Sequence, residues 1–253
     1  MTFSIIARCT RTGAFGAAIT TSDLAVGARC IGLVHGFGAV LSQHRTDSRL
    51  RDLAVARLRA GDDADAALTA VCGSTPDIEW RQVAVMDAKG RTAVHHGRLM
   101  YSIHAHAVGR SCLALGNILD NPDVPSAMVA GFDAAPAAGL GARLLAALAA
   151  GEAAGGEIAG RLVSAALRVT GPHDVDLCDL RVDRAAADPI AELTALHDEW
   201  GGRSEVLRGV SLAPDSVPVR RSLLEASVTR IRALGLEERF PTDRRRADWT
   251  VAE

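Results

Sequence analysis

Lysine is all but missing from this chain. Lys89 stands alone among 28 basic residues, so any mechanism that needs a lysine amine has a single candidate. No apolar run approaches the length needed to span a bilayer. The first residues lack the charged and apolar regions of a secretory signal, because Arg8 and Arg11 interrupt them early. A soluble, cytoplasmic protein is therefore expected. Neither sign of charge is in excess: the net charge of −2 gives no electrostatic reason to expect nucleic acid or an anionic membrane as partner. Paired cysteines are missing too. Cys9, Cys30, Cys72, Cys112 and Cys178 are odd in number and scattered, with no C-x-x-C pair. That argues against a disulfide framework or a structural zinc site, and the thiols read as small buried hydrophobes.

What is present is ample apolar material, 48% of 253 residues, enough for one large domain with a substantial core. Strand signals come first. Phe3 to Ala7 and Ala14 to Thr20 flank a turn and read as an opening hairpin. Ala25-Val26-Gly27 leads through Cys30 to Val34, and a glycine turn (Gly36, Gly38) joins that segment to Ala39–Ser42 as a second strand pair. Helical spacing appears over Ser48–Ala60 and again over Asp62–Val71, with Asp63 or Asp65 suited to the helix start. Strands return at Gln82–Asp87, Arg91–His95 and Cys112–Leu115. Helices are expected at Asp123–Phe132 and Ala142–Ala154, strands at Val163–Val169 and Leu177–Val182, and a helix at Pro189–Glu199. Strands and helices arrive in blocks, which favours an α+β layered sandwich over a doubly wound βαβ sheet.

After Trp200 the character changes. Gly201-Gly202 breaks the chain, the stretch to Pro218 has no strong periodicity, and Arg220–Leu234 carries Leu223, Leu224, Val228 and Ile231 on one helical face. Asp243 to Arg246 is a charged run. Residues 1–200 therefore read as the main domain and 201–253 as a partly helical appendage, packed on the domain or on a partner.

The start of the chain carries the sharpest chemical signal. Thr2 sits behind the initiator methionine, and aminopeptidases remove methionine efficiently before a small residue. Thr2 would then carry a free α-amine, with an ordinary pKa near ~8, beside its own hydroxyl. One residue would supply both a nucleophile and the base that a weak hydroxyl needs. The plainer alternative is a threonine that merely opens a strand.

Several segments together resemble a known family. Thr2-Phe3-Ser4-Ile5, Gly13 to Ala18, Ser22 to Gly27, and Gly38-Ala39-Val40 through Gln43 match the bacterial domain of unknown function 1028 family. So do His106 to Gly109, Gly116-Asn117-Ile118-Leu119 with Pro122, Arg143 to Leu148 through Gly155-Gly156, Asp179 to Asp183 and Asp188 to Leu193. The matches run in order across roughly residues 2–197. That family is similar in fold to the N-terminal-nucleophile hydrolases. The resemblance implies a four-layer αββα sandwich, two antiparallel sheets flanked by helices, and amide hydrolysis by an N-terminal Thr, Ser or Cys.

On this reading Thr2 attacks a carbonyl, its amine takes the proton, and Asn117 donates to the oxyanion while Gly116 lets the backbone approach. Gly116-Asn117 reads equally as a turn pair. Ser22, after the second strand, is placed to hold the α-amine, or else is a turn residue; Gln43 ends an apolar strand and needs a partner or a ligand. His106 is a candidate acid or orienting group. His95 and His96 point to opposite faces of a strand, His104 and His106 to one, and no cysteine or carboxylate completes a zinc pattern. Arg161 is a candidate for a substrate carboxylate, or for a structural ion pair.

The chain also departs from the family's pattern. Asp23 stands where a basic residue is usual and Leu115 where a glutamine is common. His44 to Asp47 replaces an aromatic, proline-containing stretch, and Gly155 to Leu162 keeps Arg161 but loses its polar neighbours. Two functional classes follow. One is a cofactor-free amidohydrolase acting on C–N bonds other than peptide bonds in a small metabolite. The other is a catalytically silent relative that binds a ligand or partner in the same cleft. A homodimer or higher homo-oligomer is expected by analogy with the family.

Overall fold

The computed structural model describes residues 1–158, 160–241 and 250–252; the charged run Asp243–Arg246 lies outside them. The described chain divides into two compact units, Met1–Trp200 and Gly201–Glu253.

The first unit is α+β, built on two antiparallel sheets. The opening hairpin is β1 (Thr2–Arg8) and β2 (Phe15–Thr21), with Thr2 opposite Thr21. A short helix, α1 (Val26–Cys30), leads into β3 (Ile31–Val34), where the sequence had suggested only a lead-in to a strand. Next come β4 (Gly38–Gln43), α2 (Ser48–Arg59) and α3 (Ala64–Gly73). Each helix is started by an aspartate: Asp47 accepts from the Arg49 N–H and Asp63 from the Ala66 N–H. Strands β5 (Gln82–Asp87), β6 (Thr92–His96), β7 (His104–Val108) and β8 (Cys112–Asn117) follow. Helices α4 (Val124–Asp133) and α5 (Leu140–Ala153), strands β9 (Ser164–Val169) and β10 (Cys178–Val182), and helix α6 (Pro189–Gly201) complete it.

The larger sheet runs β10-β9-β2-β1-β8-β7 and the smaller β3-β4-β5-β6, every ladder antiparallel. A doubly wound parallel sheet is thereby excluded. Strand β7, like α1 and the later helix over Ser204–Leu212, was hidden from sequence. It is a sheet edge with His104 and His106 on one face, so its alternation does not read as apolar.

Alternation along β1 shows what each face does. Phe3, Ile5 and Ala7 join Met128, Phe132, Leu144 and Leu148 of α4 and α5 in one core. Ile6 points the other way, into a second core shared with Leu41, Ala84 and Met86 of the smaller sheet. The outer face of the smaller sheet, Val40, Val83 and Val85, packs on Leu50, Ala54 and Leu58 of α2 and Ala67 and Val71 of α3. Each large side chain so buried contributes about 1.5–3 kcal/mol. Thr2 and Ser4 share Ile6's face and therefore enter the space between the sheets.

The second unit holds α7 (Ser204–Leu212), α8 (Arg221–Ala233), α9 (Leu236–Arg239) and a two-residue parallel pair, β11 (Val219–Arg220) with β12 (Val251–Ala252). Helix α7 falls in the stretch that showed no strong period. Among the described residues no helix is long and apolar enough to cross a membrane.

Candidate active site

Antiparallel register brings one end of both sheets into a single polar layer. Thr2 lies opposite Thr21 on one side and Asn117 on the other, and His104 lies opposite Asn117. In the smaller sheet Gln43 lies opposite Gln82, and Gln82 opposite His96. These residues interrupt the apolar faces that continue behind them.

Gln82 is the hub. Its Oε1 accepts from Gln43 Nε2 (2.6 Å) and Asn117 Nδ2 (2.9 Å). Its Nε2 donates to the Gly116 carbonyl (2.8 Å) and to His96 Nδ1 (3.0 Å). All four capacities of the amide are thus met, as a buried amide requires. Ser4 extends the network by donating to Gln43 Oε1 at 2.8 Å. Ser4, Gln43, Gln82 and Asn117 are all fully buried.

The network runs outward as well. With Nδ1 accepting, neutral His96 carries its proton on Nε2 and donates to His106 Nδ1, 2.9 Å away. Burial, with the His106 and His104 rings nearby, drives the His96 pKa down to about 4. His106 is exposed, so a string of hydrogen bonds joins the buried amides to the surface. His104 lies tilted against the same ring, at 5.2 Å between centroids. Among the described residues no group of three His, Cys, Asp or Glu side chains is arranged to hold a metal ion. His95, on the opposite face, faces the Ile78 carbonyl.

Thr2 itself is 6% exposed. Its hydroxyl donates to the Met1 carbonyl (2.5 Å) and lies 3.2 Å from the Thr21 hydroxyl, which also donates to that carbonyl. Two hydroxyls thus converge on one carbonyl oxygen. The backbone around them is strained: His44, Arg45 and Ile118 all have positive φ, and for a β-branched residue such as Ile118 that is a genuine outlier. His44 Nδ1 is held on the Trp80 carbonyl, and burial lowers its pKa.

Of the residues expected from sequence, Thr2, Gln43, Gly116, Asn117 and His106 belong to this layer or its network. Gly116-Asn117 ends a strand and is not a turn pair; the turn begins at Ile118. Gly116 is needed for a close approach, since a Cβ there would meet Leu119 Cδ2 at 2.6 Å. Asn117 already gives one N–H to Gln82, and its Oδ1 is buried without a partner, so only its second N–H is left for an oxyanion. Ser22, just beyond Thr21, is beside the Glu157 carboxylate.

Arg161 makes its observed hydrogen bonds outside this layer. Its guanidinium donates to the carbonyls of Ala185, Ala186 and Ala187 and pins the loop before α6. Three backbone acceptors occupy the donors that a substrate carboxylate would need.

Sequence reading passed over Gln82, Thr21 and Glu157 and weighed His96 only as a metal ligand. Gln82 carried the same signal as Gln43, a polar residue at the end of an apolar strand. A cavity of about 260 Å³ lies elsewhere, against α1, β3 and α2, lined by Arg51, Asp52, Arg168 and Arg181 among others. Its arginines are already paired, Arg51 with Asp52 at 2.8 Å and Arg168 with Asp176 at 2.6 Å.

Residues 2–193 match the model of DUF1028, a family of unknown function. The crystal structure of protein SPO2555 from Silicibacter pomeroyi, a protein with the same family model, is similar at 32% identity and a TM-score of 0.72. The similarity covers 79% of this chain and 88% of that one. No protein of curated function matches.

Proposed function

The chain belongs to the DUF1028 family of unknown function, and from that membership and the site's geometry we propose that it is an amidohydrolase of the N-terminal-nucleophile type, with Thr2 as nucleophile. The two facing sheets with helices on their outer faces are read as the four-layer αββα arrangement of that superfamily. One observation carries the proposal. The Thr2 hydroxyl is buried at the end of a central strand, between Thr21 and Asn117, where a carbonyl oxygen already accepts two hydroxyl hydrogen bonds.

Once Met1 is removed, Thr2 Oγ1 attacks an amide carbonyl of a small substrate and passes its proton to its own α-amine. The carbonyl oxygen takes the negative charge, and the Thr21 hydroxyl, released from Met1, stabilises it with the second Asn117 N–H. Donors of this kind are worth about 3–4 kcal/mol each. The C–N bond breaks, the amine leaves with the proton, and water hydrolyses the threonyl ester.

A second reading follows from a specific contact. While Met1 is retained, its carbonyl engages both threonine hydroxyls, and the cleft binds without turnover. Intact mass of the purified protein separates the two, because hydrolysis requires loss of one methionine. Thr2→Ala should then reduce turnover of a panel of small amides by at least ~10³-fold. Equal turnover by variant and wild type would remove Thr2 from the mechanism.

A further inference from the structure

Glu157 is 7% exposed; the Ser22 side chain and backbone N–H lie beside its carboxylate, but neither oxygen makes a hydrogen bond of good geometry. An ionised carboxylate shut away from water without a cation is unfavourable, and such a group either takes up a proton or receives a positive charge. Burial pushes its pKa up. Ser22 and the positive charge of the terminal amine, carried here by Met1, oppose that shift.

Backbone register explains why the terminal charge reaches it. Thr2 pairs with Thr21 and Asn117, so the position before Thr2 falls between Ser22 and Ile118. The segment carrying Glu157 is laid along the Ile118 side of that position. Glu157 bridges to Leu119, the Ile158 N–H donates to the Ile118 carbonyl, and the Asp120 N–H donates to the Gly156 carbonyl. Cys30 and His44 also feel the terminal charge, from the end of α1 and the end of β4, and neither is a carboxylate.

We propose that Glu157 is a positioning residue that pairs with the α-ammonium of Thr2 after Met1 has gone. The proposal rests on the removal of Met1 inferred above. Removing Met1 turns the buried amide nitrogen of Thr2 into an amine, a charge that also needs a partner. The orphaned carboxylate and the new ammonium satisfy each other. Turnover runs through molecules whose α-ammonium has first released its proton to water; the free amine then gains the hydroxyl proton and becomes cationic again, and Glu157 stabilises that charge without exchanging a proton itself. When the proton moves to the leaving amine, the pair relaxes.

The test uses full-length protein made with Thr2 as its first residue, checked by intact mass and carrying isotopically labelled threonine and glutamate. The α-amine pKa of Thr2, read by NMR, should lie above the ordinary ~8 and should fall by about one unit or more in Glu157→Gln. Glu157→Asp should restore part of the shift. In the unmutated chain the Glu157 carboxyl pKa should be lower without Met1 than with it, a comparison that needs no substitution. Equal amine pKa values in wild type and Glu157→Gln, or a carboxyl pKa indifferent to Met1, overturn the proposal. Thr2→Ala keeps an α-amine and loses the hydroxyl. If its amine still responds to Glu157→Gln while turnover is unimpaired, the pairing stands and the nucleophile assignment alone fails. If turnover collapses but the amine ignores Glu157, the nucleophile stands and the pairing alone fails.

Discussion

Helices α2 and α8 carry the same kind of apolar stripe and meet different fates. In α2, Leu50, Ala54 and Leu58 lie on the smaller sheet and are buried with Val40, Val83 and Val85. In α8, Leu223 is 61% exposed, and Leu224, Val228 and Ile231 are only partly covered. No described residue of the second unit is buried, whereas the first holds three cores and a buried polar network. A stripe at helical spacing makes a helix amphipathic; a sheet on which to lay it makes a core. The first unit has two such sheets. The second has a pair of two-residue strands.

Substitutions at matching positions sharpen this contrast. Leu58→Ala should destabilise the first unit by about 2–5 kcal/mol, seen as a lower urea midpoint, because it opens a cavity between helix and sheet. Survival of the midpoint would mean that α2 is as loosely held as α8. Next in size is Gln82→Met, which strands donors on Gln43 and Asn117 and the Gly116 carbonyl. A loss of about 2–3 kcal/mol is expected. A stable variant would show that the polar layer adds nothing to the fold beyond what its apolar surroundings provide.

Acidification probes the same layer more gently. His96 is held neutral in the fold down to about pH 4, while the unfolded chain takes up its proton near the ordinary value of 6.5. Between those two values the unfolded state binds more protons, so stability is lost as pH falls. With partial exposure and neighbouring histidines discounted, the loss from pH 7 to pH 5 should be about 1 kcal/mol. His96→Gln should flatten that slope in denaturation curves at the two pH values. The smallest effect belongs to the second unit, where Leu223→Ala should change the stability read from urea unfolding by less than about 0.5 kcal/mol. A larger loss would reveal a core in that unit.

Much of the frame was legible before any coordinates. The opening hairpin, the helices over 48–60 and 62–71 and the paired strands at 82–96 follow from period and turn residues, all of which are local. Histidines hid β7, and α7 spans only nine residues. Within the site, Thr2, Gln43 and Asn117 were visible as polar residues at the ends of apolar runs. Arg161 misled, because its three carbonyl partners lie 24–26 residues further along the chain.

The sequence by itself determined that Thr2 stands at the head of an apolar run, that His95 and His96 face opposite ways, and that Gln43 ends the apolar strand β4. These are consequences of alternation and of neighbours in the chain. Only the tertiary structure decided that Gln43, Gln82, Asn117 and His96 form one hydrogen-bonded layer, and that Glu157 lies buried beside the start of the chain. The layer's hydrogen bonds join residues 14 to 39 positions apart, across two sheets, and Glu157 sits far along the chain from Ser22, in a glycine-rich loop. Register and sheet packing set such distances, and no local pattern encodes them.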